Sequence, residues 1–216
     1  HAGMLEVLVT GSGRLDVYQR GGDSLFGRYD LHHLHPFSVG ERMASRAQKI
    51  AEPSAWLRGV LDGPSSSAAE REARQALEDI ERFSGFPEPL HAGSDARLRK
   101  WRKAHRELIV REDLRDLTRI RELGLIESLV LMLPERVASP LSVQALATEL
   151  GVAFNTMRGW LDALARLGFV FELRPWTGKL ARTLRKETKT YLFDPTEIPE
   201  PGPRFENLVA LHLSKL

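Results

Sequence analysis

The sequence predicts a mainly α-helical chain with small β elements, on three observations. After residue 40, long segments repeat apolar residues at i, i+3, i+4 and i+7 with charges between them. Short β-branched runs occur only near the start and around residues 169–194. Between residues 140 and 195 the pattern runs helix, tight turn, helix, hairpin.

Composition narrows the function classes. With 216 residues, 42% hydrophobic and 28% charged, the chain has the make-up of a globular protein and the length of one large domain or two small ones. It has no cysteine, which removes disulfides, thiolate metal sites and cysteine nucleophiles. The formal charge of +2 is too small to argue nucleic-acid binding from the total. No stretch reaches the roughly 20 apolar residues of a membrane span, and HAGMLEVLVTGSG lacks the basic start and long apolar run of a signal peptide. These features predict a soluble, cytoplasmic protein without a membrane partner.

Taken in order, residues 5–10 (LEVLVT) form a candidate strand closed by Gly11, and residues 29–34 a second, stopped by Pro36. Two such strands do not complete a sheet. Residues 41–61 read as helix interrupted by Pro53, and residues 69–83 as an amphipathic helix with Ala73, Ala76, Leu77 and Ile80 inward. The glycines and prolines of SGFPEPLHAGSD predict a loop or domain junction. Two further helical patterns follow, with a core stripe of Leu114, Leu117, Ile120, Leu125, Leu129 and Leu133, ended by Pro134.

In the third region Ser142 is placed to cap VQALATEL, and Gly151 to end it. Asn155 is placed to cap TMRGWLDALARLG, whose inward residues are Met157, Trp160, Leu161, Leu164 and Leu167. FVFELRPW, a Thr177-Gly178 turn and KTYLFD then supply a hairpin or a small three-stranded sheet. This order is that of a winged helix-turn-helix. A final amphipathic helix is built on Phe205, Leu208, Val209, His212 and Leu213. The incomplete sheet at one end and the apolar helix at the other predict the middle-to-late part of a longer protein.

The helix-turn-helix carries the clearest chemical signal. Recognition helices use short polar residues at an exposed start for base edges and cations for phosphates. Asn155, Thr156 and Arg158 suit the first role and Arg166 the second. Residues 174–189 add Arg174, Lys179, Arg182, Arg185, Lys186 and Lys189 against Glu187 alone. The alternative is a packing scaffold with a solvated hairpin, since Gly159 and Asp162 leave the exposed helix face weakly basic. The basic run from Arg97 to Arg111 is either a second phosphate-tracking surface or a solvated helix face with i,i+4 pairs. His32, His33 and His35 offer two ligands on one face of a strand at most, too few for a metal site. The pattern GxxxxGK[ST] is absent: Gly178-Lys179 has Leu173 where the first glycine belongs and Leu180 where Mg²⁺ needs a hydroxyl. Hydrolase and dehydrogenase signatures are absent as well.

The segment LVTGSGRLDVYQRGGDSLFGRYDLHHLHPFSVGE resembles the stretch after the Walker B strand in a large group of bacterial and archaeal AAA-type ATPases. FSGFPEP resembles that group's G-G-F-P-E motif, and ELIVREDLRDLTRI its I-x-R-D-[IL] segment. KTYLFDP and RFENLVALHL resemble its last strand and the start of a nuclease-like domain. The resemblance implies the end of an α/β nucleotide-binding core over 1–40, a helical lid or connector over 41–96, a helical linker over 97–139, a winged helix over 140–195 and the start of a further domain over 196–216. It implies nucleotide-sensing roles for Thr10 and Ser12, near a γ-phosphate, and for Arg28 as a phosphate-stabilising cation. Turn capping and a surface ion pair are the structural alternatives. ATP and Mg²⁺ would serve the complete protein, while this chain, without P-loop lysine or Walker B carboxylate, would neither bind them alone nor hydrolyse ATP. The expected partners are duplex DNA, the ATPase core or a second copy. An independent winged-helix regulator and a scaffold without nucleic-acid role are the rival readings.

Overall fold

The computed structural model describes residues 8, 10, 30, 32–43, 67–110, 123–176 and 188–215. Eight α-helices and one two-stranded antiparallel sheet lie among them. None of these helices is long and apolar enough to cross a membrane.

The first helix, α1 (Val39–Met43), opens with a capping box: the Ser38 hydroxyl accepts from the Glu41 amide at 3.3 Å while Ser38 N donates back to the Glu41 carboxylate at 2.8 Å. Helix α2 (Ser67–Phe83) buries Ala76 and Ile80, with Ala73 and Leu77 beside them, as its periodicity requires. It stops where Ser84, fully buried, takes a left-handed φ of 77°. The expected loop SGFPEPLHAGSD instead contains α3 (Pro87–Ala92). Pro87 accounts for the correction: proline breaks a helix in its interior but suits its first position. Gly93, at φ 53°, ends this helix, and α4 (Asp95–Glu107) follows, continued by a π turn over 108–110.

Helix α5 (Leu123–Met132) passes into a 3-10 turn at Leu133–Arg136, so Pro134 tightens the helix end rather than starting a loop. In α6 (Val143–Glu149) the Ser142 hydroxyl caps the Ala145 amide at 3.3 Å, and Gly151 turns the chain at φ 66°. Helix α7 (Phe154–Arg166) buries Met157, Trp160, Leu161 and Leu164. Its N-cap is Ala153, not Asn155, which sits one position inside the helix with its side chain exposed. Strands β1 (Val170–Leu173) and β2 (Lys189–Leu192) pair with Val170 opposite Leu192 and Leu173 opposite Lys189. A single bridge joins Pro140 to Lys189. After a 3-10 turn at Pro195–Glu197 comes α8 (Pro201–Leu213).

Two apolar clusters hold these elements. The larger takes Ile126, Leu129, Leu133, Leu146, Trp160, Leu164 and Leu192; the smaller takes Ile80, Leu90 and Leu208, with Phe37 and Val39 against it. Helix α8 belongs to both, through Ala210 and Leu208. Its inward face differs from the expected stripe: Asn207, Leu208, Ala210 and Leu211 are buried, whereas Phe205, Val209 and Leu213 are exposed. Apolar residues lie on both sides of this helix, and the decision falls to Asn207. Its amide accepts from Leu192 N at 2.7 Å and donates to Leu192 O at 2.8 Å, completing the hydrogen bonding of β2 as a neighbouring strand would.

The second candidate strand is not formed at its described positions: residues 30 and 32–34 belong to no ladder, with no described strand beside them to pair with. The first candidate strand, apart from residues 8 and 10, lies outside the described residues, as do Leu114, Leu117 and Ile120 of the core stripe and the Thr177-Gly178 turn.

Candidate functional site

The expected reading face of α7 is electrically balanced. Asn155 and Thr156 are exposed at the helix start, and Arg166 in its last turn. Arg158, however, points its guanidinium at two carboxylates, Asp162 at 3.1 Å and Glu172 of β1 at 3.3 Å. A cation engaged twice within its own protein has few donors left for a phosphate or a guanine edge. Lys189 is likewise held by Glu206 of α8 at 2.9 Å. That bond, ahead of one from Tyr191, lowers the Glu206 carboxyl below its ordinary range, while burial and the same carboxylate push Tyr191 up to about 12. Lys179, Arg182, Arg185 and Lys186 lie outside the described residues, as do Ser12 and Arg28; Thr10 is exposed and in no regular element.

The basic helix α4 divides by face. Arg97, Arg99, Lys100 and Lys103 are exposed, but Arg102 and Arg106 turn inward. Arg102 donates to Thr196 Oγ1 at 3.0 Å and Arg106 to Glu197 at 2.8 Å. Asp194 Oδ1 in turn accepts from the Thr196 hydroxyl at 2.6 Å. Burial and the neighbouring Asp194 carboxylate raise the Glu197 pKa against the opposing pull of Arg106 and Arg102. Two of the cations expected in solvent thus fasten α4 to the turn after β2. On the other side of α4, Trp101 stacks on His105 at 4.6 Å and both meet Phe86, at 4.8 and 5.2 Å, which joins the helix to the GFPEP corner.

A second constellation was not anticipated. Residues 36–43 form a strap that crosses the corner between α2 and α3 and reaches the end of α8. Phe37 N donates to Gly85 O at 2.7 Å. Val39 N donates to His212 Nε2 at 2.9 Å. Lys215 donates to Pro36 O at 2.9 Å and pairs with Glu41. Burial, the largest influence on the Glu41 carboxyl, would raise it, but the bonds from Lys215 and from Ser38 together hold it below its ordinary value. The strap brings FSVGE and FSGFPE, two segments singled out in the sequence, into direct backbone contact. The one local signal that could have pointed to the strap is the S-x-x-E pattern of Ser38 and Glu41, which the sequence reading does not use; His212 reads there as one more member of an apolar stripe.

The three early histidines part ways. His32 and His33 are exposed, while His35 packs on Phe193 at 5.5 Å. Burial first, then Lys215, lowers the His35 pKa. Among the described residues no group of three or more His, Asp or Glu side chains is placed to hold a metal ion.

A family model described as "Domain of unknown function (DUF8612)" matches residues 74–196, more than half of the chain. Two curated proteins, uncharacterized protein Rv2008c of Mycobacterium tuberculosis and uncharacterized protein Mb2031c of Mycobacterium bovis, are each 26% identical over 187 residues. That alignment covers 87% of this chain and 36% of each relative, so the chain spans little more than a third of the length of the curated relatives it matches. No solved structure matches. The family segment runs from α2 to the turn after β2, and the strap and α8 lie on either side of it.

Proposed function

Because the chain belongs to the family described as Domain of unknown function (DUF8612), its work has to be read from its own architecture, and we propose that it is the non-catalytic coupling part of an AAA-type ATPase. In this reading residues 1–40 close the nucleotide-binding core, with Thr10, Ser12 and Arg28 as its sensing residues. Residues 140–195 form a winged helix that binds a protein partner. ATP and Mg²⁺ belong to the remainder of the longer protein, since this sequence has no P-loop lysine to hold them, and no step of hydrolysis is assigned to this chain.

The observation that carries the proposal is the strap. Whatever moves the chain before Pro36 pulls on Gly85, on His212 of α8 and on Lys215 just beyond it. The order α5, bridge at Pro140, α6, Gly151 turn, α7, β1, β2 supports the winged-helix reading. The engagement of Arg158 by Asp162 and Glu172 favours a protein over DNA as its partner.

Two experiments test the proposal. A Cβ at Gly85 would lie 2.8 Å from Phe37 O and 3.0 Å from Pro36 Cβ, so Gly85→Ala must displace the strap backbone. We expect amide exchange to rise about tenfold or more in residues 37–43 and also in the last turns of α8, with α7 unchanged. Exchange altered only around residue 85 would show that the strap transmits nothing. Titration of the tryptophan fluorescence with a short DNA duplex at about 50 and about 200 mM salt is expected to show no saturable change. A complex that weakens by roughly 10³ between those salts would restore DNA as the partner.

A further inference from the structure

We propose that His212 is a proton-operated latch that holds the strap to α8 when neutral and releases it when protonated. The device is independent of what the winged region binds, and it follows from the two bonds of one imidazole.

His212 Nδ1 lies 2.8 Å from Leu208 O, a carbonyl that can only accept, so Nδ1 carries the proton. Nε2 is then the unprotonated nitrogen, and it accepts from Val39 N at 2.9 Å. Both ring positions are thereby committed in the neutral tautomer. A second proton would go to Nε2 and set an N–H against the Val39 N–H. The strap would lose an acceptor and face a donor.

The surrounding charges act with this geometry. Lys215, three residues further on and just beyond the end of α8, opposes a second cation, while Glu41 on α1 favours one. Lys215 and Glu41 pair with each other, which leaves little net attraction for an imidazolium. On the strap, His35 is itself disfavoured as a cation by burial and by Lys215. Arg42 of α1 is opposed by Asp79 of α2 at 3.5 Å, and from α3 His91 meets the ring of Phe37. Burial, first among the causes, lowers the His212 pKa below 6.5, with Lys215 adding to it and the Leu208 bond and Glu41 opposing.

The direction of the effect follows by linkage. The released strap leaves a histidine near its ordinary value of 6.5, which binds more protons than the latched one. Latching is complete above that value and weakens as pH falls through it. Between pH 7.5 and 5.5 the ratio of released to latched strap is expected to rise by up to about tenfold, the change set by an open-state group titrating at 6.5.

The experiment is amide exchange of residues 37–43 in the whole chain at pH 7.5 and 5.5, corrected for intrinsic exchange rates and referred to α7. The wild-type protein is expected to lose protection in the strap by well over twofold, and His35→Phe to behave like it. His212→Gln keeps an acceptor that cannot titrate and is expected to abolish the pH dependence. A wild-type change of twofold or less, or a dependence that survives His212→Gln, overturns the proposal; its disappearance with His35→Phe would move the titration to His35. Should the Gln variant not fold, the histidine ring ¹⁵N shifts of the unaltered protein decide: Nδ1–H in the neutral form supports the latch, and Nε2–H overturns it.

Discussion

Replacing Trp160 with alanine is expected to lower the unfolding free energy by about 3–5 kcal/mol. The indole is 4% exposed on α7, within the cluster that also holds Met157, Leu161 and Leu164. Large-to-small substitution in such a place loses both the transfer energy of the ring and the contacts around the void it leaves. Urea unfolding followed by circular dichroism measures the loss. Asn155→Ala, on the exposed side of the same helix, is the control and is expected to change stability by less than about 0.5 kcal/mol. Equal effects at the two positions would mean that α7 is turned the wrong way.

The second large effect is expected at Asn207. Asn207→Ala removes a side chain that supplies one donor and one acceptor to the backbone of Leu192, and both backbone groups would remain buried without partners. At roughly 1–3 kcal/mol for each of the two orphaned groups, the expected cost is about 2–6 kcal/mol. Asn207→Asp separates the two bonds: it keeps the acceptor for Leu192 N but sets a carboxylate oxygen toward Leu192 O, and should cost at least as much. The same unfolding measurement applies. A loss below about 1 kcal/mol for Asn207→Ala would mean that water replaces the amide and that the α8–β2 junction rests on apolar packing and the Glu206 bonds to Lys189 and Tyr191.

Local signals carried a good part of this fold. Ser142, Gly151 and Gly168 mark the ends of α6 and α7 through capping and left-handed turns, effects that act within a few residues and therefore show in the sequence. The inward residues of α7 follow from helical period alone because its polar residues occupy the other side. Helix α8 shows where such reasoning stops. With Phe205, Leu208, Val209, Leu211 and Leu213 spread over two faces, the period admits either orientation. What decides it is a bond from Asn207 to a residue 15 positions away and one from His212 to a residue 173 positions away. The candidate recognition residues divided for a similar reason: whether Arg158 is available to a ligand depends on Glu172, a residue of the following strand. The cations of α4 could not be sorted into solvent-facing and structural ones before Asp194 and Glu197 were placed beside them.

Closure of the strap on α8 is tested most directly by a distance. The chain has no cysteine, so Gly40→Cys and Val209→Cys can carry the only two spin labels. A Cβ at Gly40 meets nothing within 4 Å, and Val209 is 42% exposed. Pulsed dipolar spectroscopy at pH 7.5 is predicted to give one narrow distance population that broadens when Gly85→Ala is added. A distribution already broad at pH 7.5, and the same with and without Gly85→Ala, would contradict a strap that couples the start of the chain to its last helix.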